Sequence, residues 1–154
     1  MYNKLVNFSR NIFFYKDIKL VDTAETRIYL IFFHFSIILK IFKIKQYTDF
    51  PQTLYDNIFQ NIEYHLRELG MGDVSVNKKM KILNKYFYDI LLNISKKPNN
   101  NNFEFNIVLF EQYLCKNIRL NSSEREKASN YFENFYKICF ELESKNMIEG
   151  EIKI

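Results

Sequence analysis

Three glycines and two prolines in 154 residues give this chain very few places to turn. Strands need turn residues at short intervals. Long stretches without them, with apolar residues recurring three and four apart, commit the chain to helices. Two of the three glycines stand together in Leu66-Arg67-Glu68-Leu69-Gly70-Met71-Gly72-Asp73-Val74-Ser75-Val76-Asn77-Lys78-Lys79-Met80-Lys81. An amphipathic run ends at Gly70, where a left-handed residue closes the last turn. Asp73 or Ser75 then caps a new helix. The stretch predicts a tight helix–helix corner. Lys78, Lys79 and Lys81 crowd what reads as the first turns of that helix, where the backbone dipole already presents positive charge. Such a local conflict marks a candidate contact surface.

The chain length fits one domain, spanning residues 1–154, with material for one sizeable core. Hydrophobic residues make up 47% and charged residues 26%, a globular rather than disordered balance. A net charge of +4 permits an acidic partner or membrane surface and demands neither. Cys115 and Cys139 lie far apart on predicted helices, too few and too widely spaced for a disulfide framework or zinc site. They read as buried free thiols in a reducing compartment. Lys4 and Arg10 interrupt the first apolar run, so neither a signal peptide nor a transit segment is expected.

In chain order, Leu5, Phe8, Ile12 and Tyr15 predict one short helix over residues 3–15. Asp22 with Glu25 predicts a capping box for the next helix. Residues 28–42 are the most apolar stretch. The uncharged run between Arg27 and Lys40 falls short of the roughly 20 residues a spanning helix needs. It reads as the central helix of a bundle, with docking on a membrane or apolar client as the lesser alternative. Asp49 and Gln52 offer a second capping box, followed by the stripe Leu54, Ile58, Ile62, Leu66 and Leu69. After the corner, Val76, Met80, Leu83, Phe87, Ile90 and Ile94 form an inward seam, and Lys78, Lys81 and Lys85 line a different face. A loop near 96–102, with Pro98 and four asparagines, separates two helical subsets and is the candidate for disorder. Asn102 is a candidate cap for a helix through Ile107, Phe110, Leu114 and Ile118. Asn121 with Glu124 caps a last helix carrying Ala128, Phe132, Phe135, Cys139 and Leu142 inward. Ile148, Ile152 and Ile154 around Gly150 suggest an extended tail. The fold class is all-α, a single-domain bundle of about six helices with a short extended C-terminal tail.

Signals for chemistry are sparse. There is no metal-binding spacing around the two histidines, and Gly70-Met71-Gly72 is too short for a dinucleotide fingerprint. His34, on an apolar face, reads as a satisfied core histidine, and His65 as a helix-surface residue. A helical hydrolase or transferase using His34 is the enzyme rival. No enzyme activity and no cofactor are expected. The lysine face alone reads as a solvated flank, and specific nucleic-acid binding would need a stronger basic excess.

Two motifs carry a resemblance. Asp22-Thr23, Arg27 and His34 form the first; the second is the string from Leu66 to Val76, followed by Lys78, Lys79, Lys81 and Phe87-Tyr88. Leu54-Tyr55-Asp56 and Phe59 also match. In order and separation these residues resemble the ubiquinol–cytochrome c chaperone family, assembly factors for respiratory complex III. The resemblance runs from about residue 14 to 88, with looser similarity in the terminal helices. Thr26, Asn77 and Asp89 stand where the family commonly has glycine, and Phe33 replaces an aliphatic residue.

The resemblance implies a non-enzymatic, all-helical chaperone that binds newly synthesised cytochrome b and promotes complex III assembly. It implies a small partner chaperone and the ribosome exit region as further partners. It also implies a bacterial form on the cytoplasmic face of the inner membrane, in peripheral contact with it. The alternative is a membrane- or ribosome-associated helical adaptor with another client. Arg67, Glu68, Asp73, Lys78, Lys79 and Lys81 are the expected partner-binding residues. Asp22, Thr23, Arg27, His34, Gly70, Gly72, Phe87 and Tyr88 are expected to hold structure, the two glycines through backbone geometry and Asp22–Arg27 as a cap or buried pair.

Overall fold

A computed structural model describes residues 1–47, 51–97 and 102–154. Among them are eight helices: α1 (Tyr2–Ser9), α2 (Ile12–Lys16), α3 (Ala24–Ile44), α4 (Gln52–Glu68), α5 (Asp73–Asn93), α6 (Ile107–Leu114), α7 (Ser122–Glu141) and α8 (Ser144–Glu149). The architecture is all-α. The β geometry present is one isolated antiparallel bridge, Ser95 with Phe105.

α3 is the axis. Every residue from Ile28 to Leu39 is buried, so this helix has no polar face to give to water. α1, α5, α6 and α7 pack on it, and α4 packs on α5 and α1. Phenylalanine fills the space between. Phe35 stacks on Phe87 at 5.6 Å, Phe32 on Phe59 at 5.6 Å, and Phe105 on Phe132 at 4.5 Å. Offset and edge-on rings at such separations add about 0.5–1.5 kcal/mol per pair beyond burial alone. No helix among the described residues is long and apolar enough to cross a membrane.

Several local expectations are revised. The single first helix is two, because the chain turns at Arg10 and restarts with Asn11 accepting from the Phe13 amide at 3.1 Å. Asp22 does not cap α3. Thr23 does, accepting from the Thr26 amide at 3.1 Å, which frees Asp22 for Arg27 and Glu25 for other partners. Asp49 lies outside the described residues, and Gln52 donates to Asp56 at 2.8 Å. Leu69 is 60% exposed because it is the residue after α4 rather than part of its buried stripe. α6 is capped by Asn106, not Asn102, and ends before Ile118. Pro98 to Asn101, the centre of the expected disordered loop, lie outside the described residues; their flanks are tied by Lys96 N–H to Glu104 O at 2.9 Å. The extended tail begins later than expected, since Ile148 belongs to α8, which closes on Gly150 at φ 83°. The Asn121–Glu124 capping box forms in full, with bonds of 2.8 and 3.0 Å.

Candidate partner-binding surface

The corner between α4 and α5 is ordered by its own backbone. Gly70 adopts φ 87°, a left-handed conformation that costs glycine little. Its N–H reaches Arg67 O at 2.9 Å, and the Met71 N–H reaches Leu66 O at 3.3 Å. Those two bonds make a Schellman motif. Gly72 is different. At φ −73° and ψ 164° it is ordinary extended backbone at the N-cap of α5, a conformation any residue adopts. Nothing lies within 4 Å of a Cβ added there, so the expected geometric need for glycine at 72 is absent.

Arg67 staples the corner. Its guanidinium donates to Glu63 on its own helix at 2.8 and 3.1 Å and to Asp73 at the start of α5. The Asp73 carboxylate, then that of Glu63, raises the arginine pKa above its ordinary value. Asp73 is the first helical residue, where a carboxylate complements the dipole. Glu68 is exposed at the end of α4.

Because α5 starts at Asp73, Lys78 falls in its second turn and Lys81 in its third. The dipole acts within the first turn. The expected clash between lysines and helix start is therefore absent, since Gly72 rather than Asp73 or Ser75 caps the helix. The three lysines also separate. Lys79 is half-buried, its Nζ donating to Glu25 on α3 at 3.1 Å. Glu25 also accepts from the Tyr29 hydroxyl at 2.7 Å, and these two bonds, the tyrosine's first, hold its pKa below the usual glutamate value. Lys79 thus ties α5 to the central helix. Lys78 and Lys81 are exposed, and among the described residues neither enters an ion pair.

The first motif lies at the start of α3 and along it. Arg27 holds Asp22 through two bonds of 2.8 Å, an exposed rather than buried pair, and the guanidinium lowers the Asp22 pKa. Thr23 caps α3. His34 has no solvent exposure. Its Nδ1 lies 2.6 Å from Leu30 O and its Nε2 lies 3.0 Å from the Tyr131 hydroxyl. A carbonyl can only accept, so Nδ1 carries the proton and Nε2 accepts from Tyr131. Burial drives the imidazole pKa down to about 4. The ring is sealed by Phe8, Phe132 and Phe135 at 4.9–5.4 Å. Phe87 is fully buried, whereas its neighbour Tyr88 is 48% exposed.

Two features escaped the sequence. Tyr131 as the partner of His34 lies 97 residues away and has no local signal. Glu25 was legible as a capping residue and serves as the anchor of Lys79 instead.

Residues 16–102 match the family described as Ubiquinol-cytochrome C chaperone. That stretch contains both motifs, the central helix and the corner. The crystal structure of the Cbp3 homolog from Brucella abortus aligns with a TM-score of 0.69 at 18% identity, over 99% of this chain and 84% of that one. At that identity the likeness is one of fold. No curated protein matches the chain in sequence.

Proposed function

Because this chain belongs to the ubiquinol-cytochrome C chaperone family, we propose that it binds newly synthesised cytochrome b and carries it into the ubiquinol–cytochrome c reductase complex. The observation that carries the reading is the family match over residues 16–102, which covers every motif residue named above. The reading is of a binding protein rather than a catalyst. In support, His34 has no surface from which to meet a substrate, and His65 is a lone exposed imidazole on α4. The contact surface is the corner and the outer face of α5, with Lys78 and Lys81 as its available charges and Arg67 and Asp73 holding the shape of the corner, while Lys79 is turned to Glu25 on α3. A small partner chaperone, the ribosome exit region and the cytoplasmic face of the inner membrane complete the setting.

The test is deletion of the gene, followed by measurement of cytochrome b by its reduced-minus-oxidised spectrum and of assembled complex III by native gel. Both should fall. Complementation with Lys78→Glu/Lys81→Glu should fail while the protein accumulates normally. Unchanged cytochrome b in the deletion strain would overturn the reading. A second reading, an adaptor with another client, is favoured by one observation: Val74 and Leu92 are 70% and 72% exposed on the same helix as the lysines. Crosslinking from Lys78 separates the two by the identity of the captured chain.

A further inference from the structure

The outward side of α5 carries a second periodic seam. Val74, Lys78, Lys81, Lys85, Tyr88 and Leu92 follow one another at spacings of four, three, four, three and four. All six are exposed, and they lie opposite the buried seam of Val76, Leu83, Phe87 and Ile90. Over the described structure this side has no covering element. A stripe repeating every three and a half residues is what one helix presents to another in knobs-into-holes packing. Any outer helix face has that spacing; what marks this one is its content, three lysines in succession between exposed Val74 and exposed Tyr88 and Leu92.

We propose that this ridge docks an acidic amphipathic helix, with carboxylates facing the three central lysines and apolar residues meeting Val74 at one end and Tyr88 and Leu92 at the other. The inference deepens the contact-surface reading given above by naming the chemistry of the ligand. Charge sets the choice. Lys78, Lys81 and Lys85 make no ion pair among the described residues, so the ridge holds three consecutive cations at seam positions. Carboxylates in register satisfy them without a clash. A flat membrane fits less well. A helix lying on lipid buries a broad apolar face and keeps its lysines at the margins. Here the lysines occupy the midline, and the flanking positions include Asn77 and Asp89. Sinking Leu92 and Val74 into acyl chains would take three ammonium groups with them. The ridge spans about 27 Å, the length of five helical turns, which suits one docked helix.

The test uses the purified full chain and three probes. The first is a synthetic helical peptide with leucines at the outer seam positions and glutamates at the central three. The second is the same peptide with lysines in place of the glutamates. The third is a vesicle of mixed phosphatidylglycerol and phosphatidylcholine. Binding is followed by fluorescence anisotropy of labelled peptide and by vesicle sedimentation. The glutamate peptide should bind and the lysine peptide should not. Lys78→Glu/Lys81→Glu/Lys85→Glu, all exposed positions, should weaken the glutamate peptide by at least about tenfold and create binding of the lysine peptide. Leu92→Asp should weaken the glutamate peptide without changing its preference over the lysine peptide. Helical circular dichroism reports that each variant is folded. Equal binding of both peptides, no binding of either, or binding only to vesicles overturns the inference. These readouts do not involve cytochrome b, so the inference can fail while the deletion phenotype stands, and the reverse.

Discussion

His34 should make this protein acid-sensitive well above the pH at which its carboxylates protonate. In the folded chain the imidazole is sealed by phenylalanines, with Nδ1 given to Leu30 and Nε2 filled by Tyr131, and its pKa falls from 6.5 to about 4. Unfolding restores the ordinary value. Between those two pH values the unfolded chain takes up a proton that the folded chain refuses, so stability falls as pH drops through this window. Above the window both states are neutral and there is no effect; below it both are charged and the loss is complete. A tenfold difference in proton affinity is worth about 1.4 kcal/mol, so the complete loss is about 3 kcal/mol. By pH 5 about 2 kcal/mol of it has gone, a large share of the stability of a small domain. The lowered carboxylates of Asp22, Glu25, Glu104 and Glu124 contribute with the same sense, but their stabilisation fades as pH falls below about 5. The assay is urea denaturation at pH 7, 6 and 5 of the wild type and of His34→Gln. The variant should be less stable at pH 7 and nearly flat between pH 7 and 5, while the wild type loses about 2 kcal/mol. If the two lose stability in parallel, the proton is not refused by His34, and the account of a sealed neutral imidazole is wrong.

Three further outcomes follow from the geometry. Gly70→Ala should destabilise by about 1–2 kcal/mol in urea, because φ 87° strains an L side chain although the space is empty, whereas Gly72→Ala should change stability by less than about 0.5 kcal/mol. Lys79→Met should lower stability by up to about 1 kcal/mol and leave client capture intact, and Lys78→Glu/Lys81→Glu should do the opposite; equal effects of the two would remove the division of labour between them. Cys115 and Cys139 are buried, with burial pushing each thiol up to about 12, so a thiol reagent at pH 8 should label neither until urea unfolds the chain.

What the sequence disclosed is what repeats or what is local. The Schellman turn at Gly70, the Asn121–Glu124 box and the inward seam of α5 depend on neighbours within four residues, and each stands where its pattern puts it. The central helix was legible because its apolar residues leave no side for solvent. Where two local options competed, the pattern could not choose. Asp22 and Thr23 are both good caps; Thr23 takes the cap and Asp22 pairs with Arg27. Asp73 and Ser75 were likewise the alternative caps for α5; the cap is Gly72 instead, which moves the lysines out of the first turn. Contacts between distant segments, such as Lys79 with Glu25 and Tyr131 with His34, depend on the packing of whole helices and leave no trace in spacing.

The wrapping of α3 has a cost during synthesis. Its greasiest stretch leaves the ribosome early, yet the side chain that closes over His34 belongs to Tyr131, 97 residues downstream. At about 5–20 residues per second that interval is several seconds. During it, the nascent chain displays an unclad row of isoleucine and phenylalanine no different in character from the segments of an unfinished membrane protein. A chain built this way needs shelter of its own until its seventh helix arrives.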